Sequence, residues 1–294
     1  MENAIALRLG VSTCLLGENV RYDGQHKLDR FVRDMLGPYV EFVPVCPEVE
    51  CGLPVPREAM RLVGDAENPQ LRTVKTDVDL TDQMLTFARR RVEDLASEGL
   101  CGYIFKSKSP SSGMERIKVY PAGGGMPKKN GVGLFAREVM RRFPLLPVED
   151  EGRLHDPVLR ETFIERIFIM HRWRQLTGTP PTRNALMEFH ARHKLLLMAH
   201  SPKHYREAGR VVADCAERPM TDVLDDYLPL LMEGTRLHAT KRKHQNVMMH
   251  ILGYFKKDLT PDEKAEMLEL IDEFRNGVIP LIVPITLLNH FVRK

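Results

Sequence analysis

The stretch VEFVPVCPE (residues 40–48) decides the predicted fold of the first half of the chain. It is a short apolar run, as expected of a strand, and it ends at a cysteine. Two other runs have the same form. One is VSTCLLG (residues 11–17), and the other is GYIFK (residues 102–106), which leads into the polar loop SKSPSSG (residues 107–113). Between these runs, apolar residues recur at helical spacing. Strands that alternate with helices predict an α/β domain with a mostly parallel, Rossmann-like sheet.

The polar residues that follow the predicted strands are expected to lie close together, because the carboxyl ends of parallel strands meet at one edge of a sheet. Cys14, Cys46, Glu48 and residues 109–113 occupy such positions. Thiols on separate loops suit a thiolate-bound metal or an iron–sulfur cluster, and the spacing of Cys46 and Cys51 lacks the paired pattern of a zinc site. A cysteine after a strand is more often a small buried apolar side chain, so the residues alone leave the function open.

The composition is that of a folded protein. The chain has 294 residues, with 43 Lys+Arg, 40 Asp+Glu and 43% hydrophobic residues, which excludes a disordered, collagen-like or coiled-coil protein. Five cysteines are too few for a disulfide scaffold. No apolar stretch is long enough to span a bilayer, and Glu2 stands where a secretory signal needs positive charge. We therefore expect a reducing, cytoplasmic location and no membrane partner.

The chain is expected to contain two domains, residues 1–152 and 153–294, divided behind the acidic turn at residues 147–152. The first has 21 Lys+Arg, 22 Asp+Glu and four of the five cysteines. The second has 22 Lys+Arg, 18 Asp+Glu and ten of the eleven histidines. From residue 156 onward, apolar residues such as Leu159, Phe163 and Ile167 recur at helical spacing, which predicts an all-α C-terminal domain.

Two basic clusters in the second domain are candidates for contacts with RNA phosphates. The clusters also contain His200 and His244, and the residues expected to bind RNA are Lys194, Lys203, His204, Arg206, Lys241, Arg242 and Lys243. Binding of an RNA backbone needs such clusters, although a charged run is more often a solvated helix face.

Four motifs of the first half together resemble the thiouracil desulfidase family. They are VSTCLLG with VRYDG (residues 11–17 and 20–24), PVCPE (44–48), GLPVPR (52–57) and KSKSPS (106–111). The second half resembles the helical domain that is often fused behind it, in phrases such as FHARHK (189–194) and NVMMHILGYF (246–255). The fused form is similar to bacterial desulfidases that act on 4-thiouridine in transfer RNA.

The resemblance implies a [4Fe-4S] cluster held by three cysteines, with one iron left open. Cys14 and Cys46 correspond to two of the ligands, and Glu48 and Ser109 correspond to the catalytic polar pair. The third ligand is expected at position 112, where this chain has Ser112. A hydroxyl is a harder and poorer ligand than a thiolate.

Three explanations of this departure stay open. The chain carries a Cys-to-Ser change at position 112, or another cysteine replaces the ligand, or the cluster is absent. Cys51 is the preferred substitute because it lies in the loop that follows Cys46. Cys101 precedes its strand, at the wrong end of the sheet for a ligand.

The implied activity is the non-redox conversion of 4-thiouridine in transfer RNA to uridine with release of hydrosulfide. Transfer RNA is the expected partner, with no obligate protein partner, and Ser12, Lys106 and Lys108 are expected to bind the substrate. One alternative is desulfuration of free thiouracil or thio-nucleosides, for which the catalytic domain suffices. An alternative of another class is an RNA-binding module with a purely structural cluster, in which Glu48 has no role.

Overall fold

A computed structural model describes residues 6–294, so Glu2 lies outside the described residues. The chain divides into two compact units, of which the first ends at Thr179 and the second begins at Pro180. Throughout the described part, no helix is both long enough and apolar enough to cross a membrane.

Within residues 6–294, eight strands form two four-stranded sheets. The strands are β1 (Arg8–Ser12), β2 (Glu41–Val45), β3 (Met60–Gly64), β4 (Pro69–Thr73), β5 (Gly102–Phe105), β6 (Ile117–Tyr120), β7 (Lys128–Gly131) and β8 (Val148–Asp150). The first sheet has the order β2-β1-β5-β8, and all its neighbours are parallel. The predicted α/β fold is therefore confirmed. The second sheet, β4-β3-β6-β7, is mixed, and the sequence pattern does not predict it.

Close packing within the first sheet requires a glycine at position 10. A Cβ atom on Gly10 would lie 2.1 Å from Cδ2 of Tyr103 on the neighbouring strand β5. Tyr103 is fully buried, and its ring lies 4.3 Å from that of Phe105. Because β1, β2 and β5 run parallel, their carboxyl ends meet at one edge of this sheet.

The second sheet has one buried face and one face that is more exposed. Leu62 on β3 and Val119 on β6 point into the core, and Lys118 between buried neighbours points away from it. This alternation follows from the two-residue period of a strand. It spans only four or five residues in each strand, too few to stand out in the sequence.

Four α-helices belong to the described part of the first unit. They are α1 (Pro47–Glu50), α2 (Thr81–Ser97), α3 (Leu134–Arg142) and α4 (Pro157–Thr177). The predicted apolar face of α2 is buried, including Met84, Phe87 and Val92. Residues 28–36, which have helical spacing, contain a π-helical turn at Phe31–Leu36.

Helix α4 packs within the first unit, against strand β5 and the residues before it. The Arg174 Nε donates a hydrogen bond to the Leu100 carbonyl at 2.9 Å, and a Cβ on Gly102 would lie 2.6 Å from the Ile167 side chain. The acidic turn before it contains strand β8, which pairs with β5. The predicted boundary after Gly152 thus lies one helix before the division between the two compact units.

The described part of the second unit is helical, as predicted. Its helices are α5 (Arg183–His200), α6 (Pro202–Ala213), α7 (Met220–Gly234), α8 (Lys241–Tyr254), α9 (Pro261–Asn276) and α10 (Ile282–Arg293). Side chains of Thr182, Ser201, Thr240 and Thr260 accept hydrogen bonds from backbone N–H groups at four of the helix starts. Such caps satisfy N–H groups that lack a partner within the helix.

Candidate active site

A cavity of about 570 Å³ opens at the carboxyl edge of the first sheet. Residues that follow β1, β2 and β5 line it together, including Cys14, Cys46, Glu48, Ser109 and Ser112. Residues that are distant in the sequence therefore meet here, as the parallel-sheet prediction requires.

Both thiols of the cavity lie in buried positions. Cys14 follows β1, and Cys46 follows the neighbouring strand β2. Burial raises the pKa of the Cys14 thiol to about 11, against an opposing effect of Lys106, and burial together with Glu48 raises the pKa of Cys46 to about 12. Both thiols are therefore neutral near pH 7 until a cation binds them. Metal binding would release their protons.

Glu48 lies in the first turn of α1 and extends into the cavity. Its Oε1 accepts a hydrogen bond from Ser111 Oγ at 2.5 Å and lies 3.5 Å from Ser109 Oγ. On the other side, Arg57 Nη2 lies 3.8 Å from Glu48 Oε2, and the Arg57 side chain is only 7% exposed. The carboxylate is thus held between two hydroxyls and a buried guanidinium, which fixes its direction.

The start of α3 holds the serine loop in place. The backbone N–H groups of Leu134 and Phe135 donate to the carbonyls of Pro110 and Ser111, at 3.2 and 3.0 Å. A Cβ at position 133 would lie 2.4 Å from the Ser111 carbonyl oxygen, so Gly133 is needed for this approach. The first N–H groups of a helix need outside partners, and here the serine loop supplies them.

Ser112 is buried and lines the cavity with the two thiols. Its Oγ lies 3.5 Å from Ser111 Oγ, which is a long hydrogen bond. Over residues 6–294, no three His, Cys, Asp or Glu side chains converge to hold a metal ion. At the position where the third ligand is expected, the cavity lining therefore offers the hydroxyl oxygen of Ser112.

The structure does not place Cys51 or Cys101 at the cavity. Cys51 ends α1, where its Sγ donates to the Glu48 carbonyl at 3.2 Å, and it packs against the apolar core. Cys101 precedes β5, at the opposite end of the strand from the serine loop. The position of Cys51 therefore does not support the expectation that it replaces the third ligand, because it is not among the residues that line the cavity.

Ser12 and Lys106 line the cavity but are held by other groups of the protein. Ser12 Oγ accepts a hydrogen bond from the Lys106 backbone N–H at 2.9 Å, and the Lys106 ammonium pairs with Glu151. Glu151 also accepts from the Ser107 N–H at 2.7 Å. Lys108 is exposed, which leaves its ammonium available to a ligand.

Sequence reasoning missed three of the groups that shape this site: Arg57, Ser111 and Glu151. Arg57 is the last residue of the GLPVPR motif, so the sequence contained a signal for it. Ser111 is one of three serines in a four-residue stretch, and only the folded loop distinguishes its contact with Glu48 from that of Ser109.

The basic residues proposed for RNA binding differ in their surroundings in the second unit. Lys203, Arg206, Lys241 and Arg242 are exposed, and Lys194 is half-buried. Lys243 Nζ donates to the carbonyls of His200 and His238, at 2.6 and 2.8 Å. His204 Nδ1 lies 2.7 Å from Ser201 Oγ. Lys243 and His204 therefore make internal contacts at the ends of helices.

Comparison with known proteins covers both parts of the chain. Residues 9–151 match the family model described as 2-thiouracil desulfurase, and residues 194–294 match a model described as a protein of unknown function, DUF1722. YbgA of Escherichia coli (strain K12), described as uncharacterized, is 34% identical over 128 residues, which cover 43% of this chain and 76% of YbgA. A solved structure described as the [4Fe-4S]-dependent thiouracil desulfidase TudS is 28% identical, covering 53% of this chain and 98% of its own, with a TM-score of 0.42.

A parallel α/β domain that gathers two thiols, a carboxylate and several hydroxyls at its strand ends defines an enzyme domain with a candidate metal centre. The chain belongs to the family of YbgA, and its match to the 2-thiouracil desulfurase model lies ahead of its match to the DUF1722 model.

Proposed function

We propose that this protein catalyses the [4Fe-4S]-dependent, non-redox desulfuration of 4-thiouridine in transfer RNA, giving uridine and hydrosulfide. The observation that carries the proposal is the single cavity that presents Cys14, Cys46 and the carboxylate of Glu48. The 2-thiouracil desulfurase model matches the part of the chain that builds this cavity. That match supports a thiocarbonyl group on a pyrimidine as the reacting group.

The donor set at the cavity fits an iron–sulfur cluster. Cys14 and Cys46 supply thiolates, the usual ligands of such clusters, and Ser112 supplies a harder oxygen donor from the same wall. When bound, the cluster supplies an electron-poor iron that polarises the exocyclic C–S bond. The raised pKa of each thiol makes assembly dependent on proton release.

Glu48 acts as the general base in this proposal. It takes a proton from the water molecule that adds to the ring carbon, while Ser109 and Ser111 orient the carboxylate and the water. Arg57 balances the charge of the carboxylate, since both side chains are largely buried. The C–S bond breaks, a C–O bond forms, and the sulfur leaves as hydrosulfide, so no electrons are transferred.

The basic residues of the second unit support a polynucleotide substrate. Lys241 and Arg242 are exposed in the first turn of α8, where positive side chains oppose the helix dipole. Their position destabilises the start of α8, and an anionic partner would relieve this destabilisation. Free thiouracil is the second candidate substrate, and the description of the matching family favours it.

The test uses anaerobically reconstituted full-length protein, both with Ser112 and as Ser112→Cys. Each is incubated with bulk transfer RNA, free 4-thiouridine and 2-thiouracil, and thionucleosides and hydrosulfide are quantified. We expect 4-thiouridine to disappear from transfer RNA with one hydrosulfide released for each uridine formed. Glu48→Gln should lower the rate by at least ~100-fold without changing the iron content. Glu93→Gln, on an exposed part of α2, is the matched control.

Each negative result has its own meaning. Persistence of 4-thiouridine with both proteins would refute the proposal. Turnover of free bases alone would favour the second candidate. An unchanged rate in Glu48→Gln would remove the general base and favour an RNA-binding module with a structural cluster.

A further inference from the structure

A second cavity of about 1060 Å³ lies beside the active-site cavity. Met60, Ser107, Lys108 and Pro110 line both cavities, so the two are contiguous. Much of the remaining wall is the exposed face of the second sheet, with residues of β3, β6 and β7. We call this second cavity the sheet groove. A long ligand in the active-site cavity can continue into it.

A row of three cations crosses the sheet groove. Lys118 on β6 is paired in register with Lys129 on β7. On the other side, Leu62 pairs with Val119, which places Arg61 of β3 beside Lys118. Neighbouring strands are about 4.8 Å apart, so the row is roughly 10 Å long. A row of this length can face more than one negative group of a ligand.

This row is unfavourable for the isolated protein. Like charges directly opposite each other on neighbouring strands destabilise a sheet. Throughout residues 6–294, neither Lys118 nor Lys129 forms an ion pair, and Arg61 reaches Asp77 only at 3.8 Å. Packing of the fold does not explain such an arrangement, whereas an anionic ligand would.

The carboxylates of the sheet groove do not neutralise this row. Glu115 pairs with Arg153 Nη1 at 2.9 Å, and Asp150 Oδ1 accepts from the Arg153 backbone N–H at 2.9 Å. Arg153 also pairs with Glu149, so it does not cancel both charges. Against these two carboxylates, the lining nevertheless holds six cations: Arg61, Lys108, Arg116, Lys118, Lys129 and Arg153. The cations of the sheet face the open groove.

Two further cations border the groove in uncommon backbone conformations. Lys108 has φ +60° and Arg116 has φ +56°, in the left-handed region that residues other than glycine seldom adopt. Such residues are concentrated at functional sites, where the rest of the structure holds them. Tyr120 adds a half-exposed ring, with the Arg61 guanidinium 5.4 Å from its centroid. Aromatic and guanidinium planes of this kind can stack on nucleic acid bases.

We propose that the sheet groove binds the sugar–phosphate backbone of RNA on one side of the nucleotide whose base occupies the active-site cavity. This inference rests on the proposed function and specifies its substrate as a polynucleotide. The cations meet successive phosphates, and Tyr120 with Arg61 meets a neighbouring base. A free thiouracil has no phosphate and no neighbouring base, so it would use the first cavity alone.

The test compares Lys118→Gln/Lys129→Gln with the matched control Arg89→Gln/Arg90→Gln. The control removes two exposed cations from α2 that are not part of the groove lining. Binding of full-length protein to fluorescently labelled transfer RNA, thiolated and unthiolated, is measured by anisotropy from 50 to 300 mM salt. Turnover of free 4-thiouridine is measured in parallel, and thermal melting reports on folding.

We expect the groove variant to bind both transfer RNAs at least ~10-fold more weakly. The negative slope of log K against log salt should become smaller in magnitude by about 2, one for each lost phosphate contact. Its melting temperature should be unchanged or raised, because a repulsive pair is removed, and turnover of free 4-thiouridine should be unchanged. The control should bind like the unaltered protein.

Three outcomes would overturn the inference: no binding of transfer RNA by the unaltered protein, unchanged affinity and salt slope in the groove variant, or an equal loss in the control. Failure of the proposed function looks different. In that case no thiolated substrate is turned over, while the groove variant still loses affinity for both RNAs.

Discussion

The substitution Ser112→Cys gives the sharpest test of how the candidate metal centre is built. Ser112 is buried, lines the cavity with Cys14 and Cys46, and has one long hydrogen bond of 3.5 Å to Ser111. Losing that bond and adding a larger sulfur atom toward an open cavity should cost the metal-free protein no more than about 1 kcal/mol.

The gain on cluster binding should be larger than this cost. Loss of an outer partner of a metal ligand commonly lowers metal affinity 10–100-fold, which corresponds to about 1.4–2.7 kcal/mol. A direct change from hydroxyl to thiolate should exceed that range, because iron in such a cluster prefers the softer donor. The variant is therefore expected to hold its cluster much more firmly than the unaltered chain.

Iron and sulfide content and the visible absorption spectrum are measured after anaerobic reconstitution, followed by the rate of cluster loss to a chelator. Ser112→Cys should reach the iron content of one full [4Fe-4S] cluster per chain, and the unaltered chain should hold less or lose it faster. Cys51→Ser should change neither value, and Cys14→Ser should abolish binding. Full, chelator-resistant occupancy with Ser112, or no gain in Ser112→Cys, would show that the third donor lies elsewhere.

Two predictions concern buried polar groups outside the metal ligands. The Tyr103 hydroxyl is buried and has no hydrogen-bond partner among residues 6–294. In urea titrations, Tyr103→Phe should therefore leave the free energy of unfolding unchanged or raise it by about 1 kcal/mol. A clear decrease in the free energy of unfolding would reveal a partner for this hydroxyl. Burial, together with Lys194, lowers the pKa of His190 below its usual 6.5. Folding then disfavours the protonated ring, so stability should fall as the pH drops through 6.5 toward the folded pKa, by up to about 1.4 kcal/mol per pH unit. An NMR titration of the His190 ring that gives a pKa of 6.5 or above would contradict this reasoning.

The convergence of Cys14, Cys46 and Ser109 could be predicted because it depends only on strand direction. Each residue follows a strand of one parallel sheet, and parallel strands end at the same edge whatever their side chains do. The finer geometry of the site depends on the loops. The contact of Ser111 with Glu48 arises because α3 fixes the serine loop, and α3 is a separate element of the chain.

The boundary between the two units shows a second limit of sequence reasoning. The acidic stretch at residues 147–152 has the composition of a linker, yet Val148–Asp150 is the fourth strand of the parallel sheet. Glu149 and Asp150 are buried there, which raises the pKa of both carboxyls, and Arg153 compensates part of that cost. Acidic residues are expected to be exposed only where no cation is available to pair with them. Here the cation is Arg153, and its contact with Glu149 depends on the fold.

Net charge likewise conceals the sheet groove. The first 152 residues have 21 Lys+Arg against 22 Asp+Glu, which by itself indicates no affinity for nucleic acid. Six cations line the groove against Glu115 and Asp150, of which Glu115 pairs with Arg153, while Lys118 and Lys129 face each other without an ion pair anywhere in the described chain. Electrostatic attraction is decided by the charges that remain unpaired on one surface, because paired charges cancel at short range. Under the proposed function, this nearly neutral part of the chain would hold the RNA backbone beside the candidate active site, and the basic residues of the second unit need not be the main source of affinity.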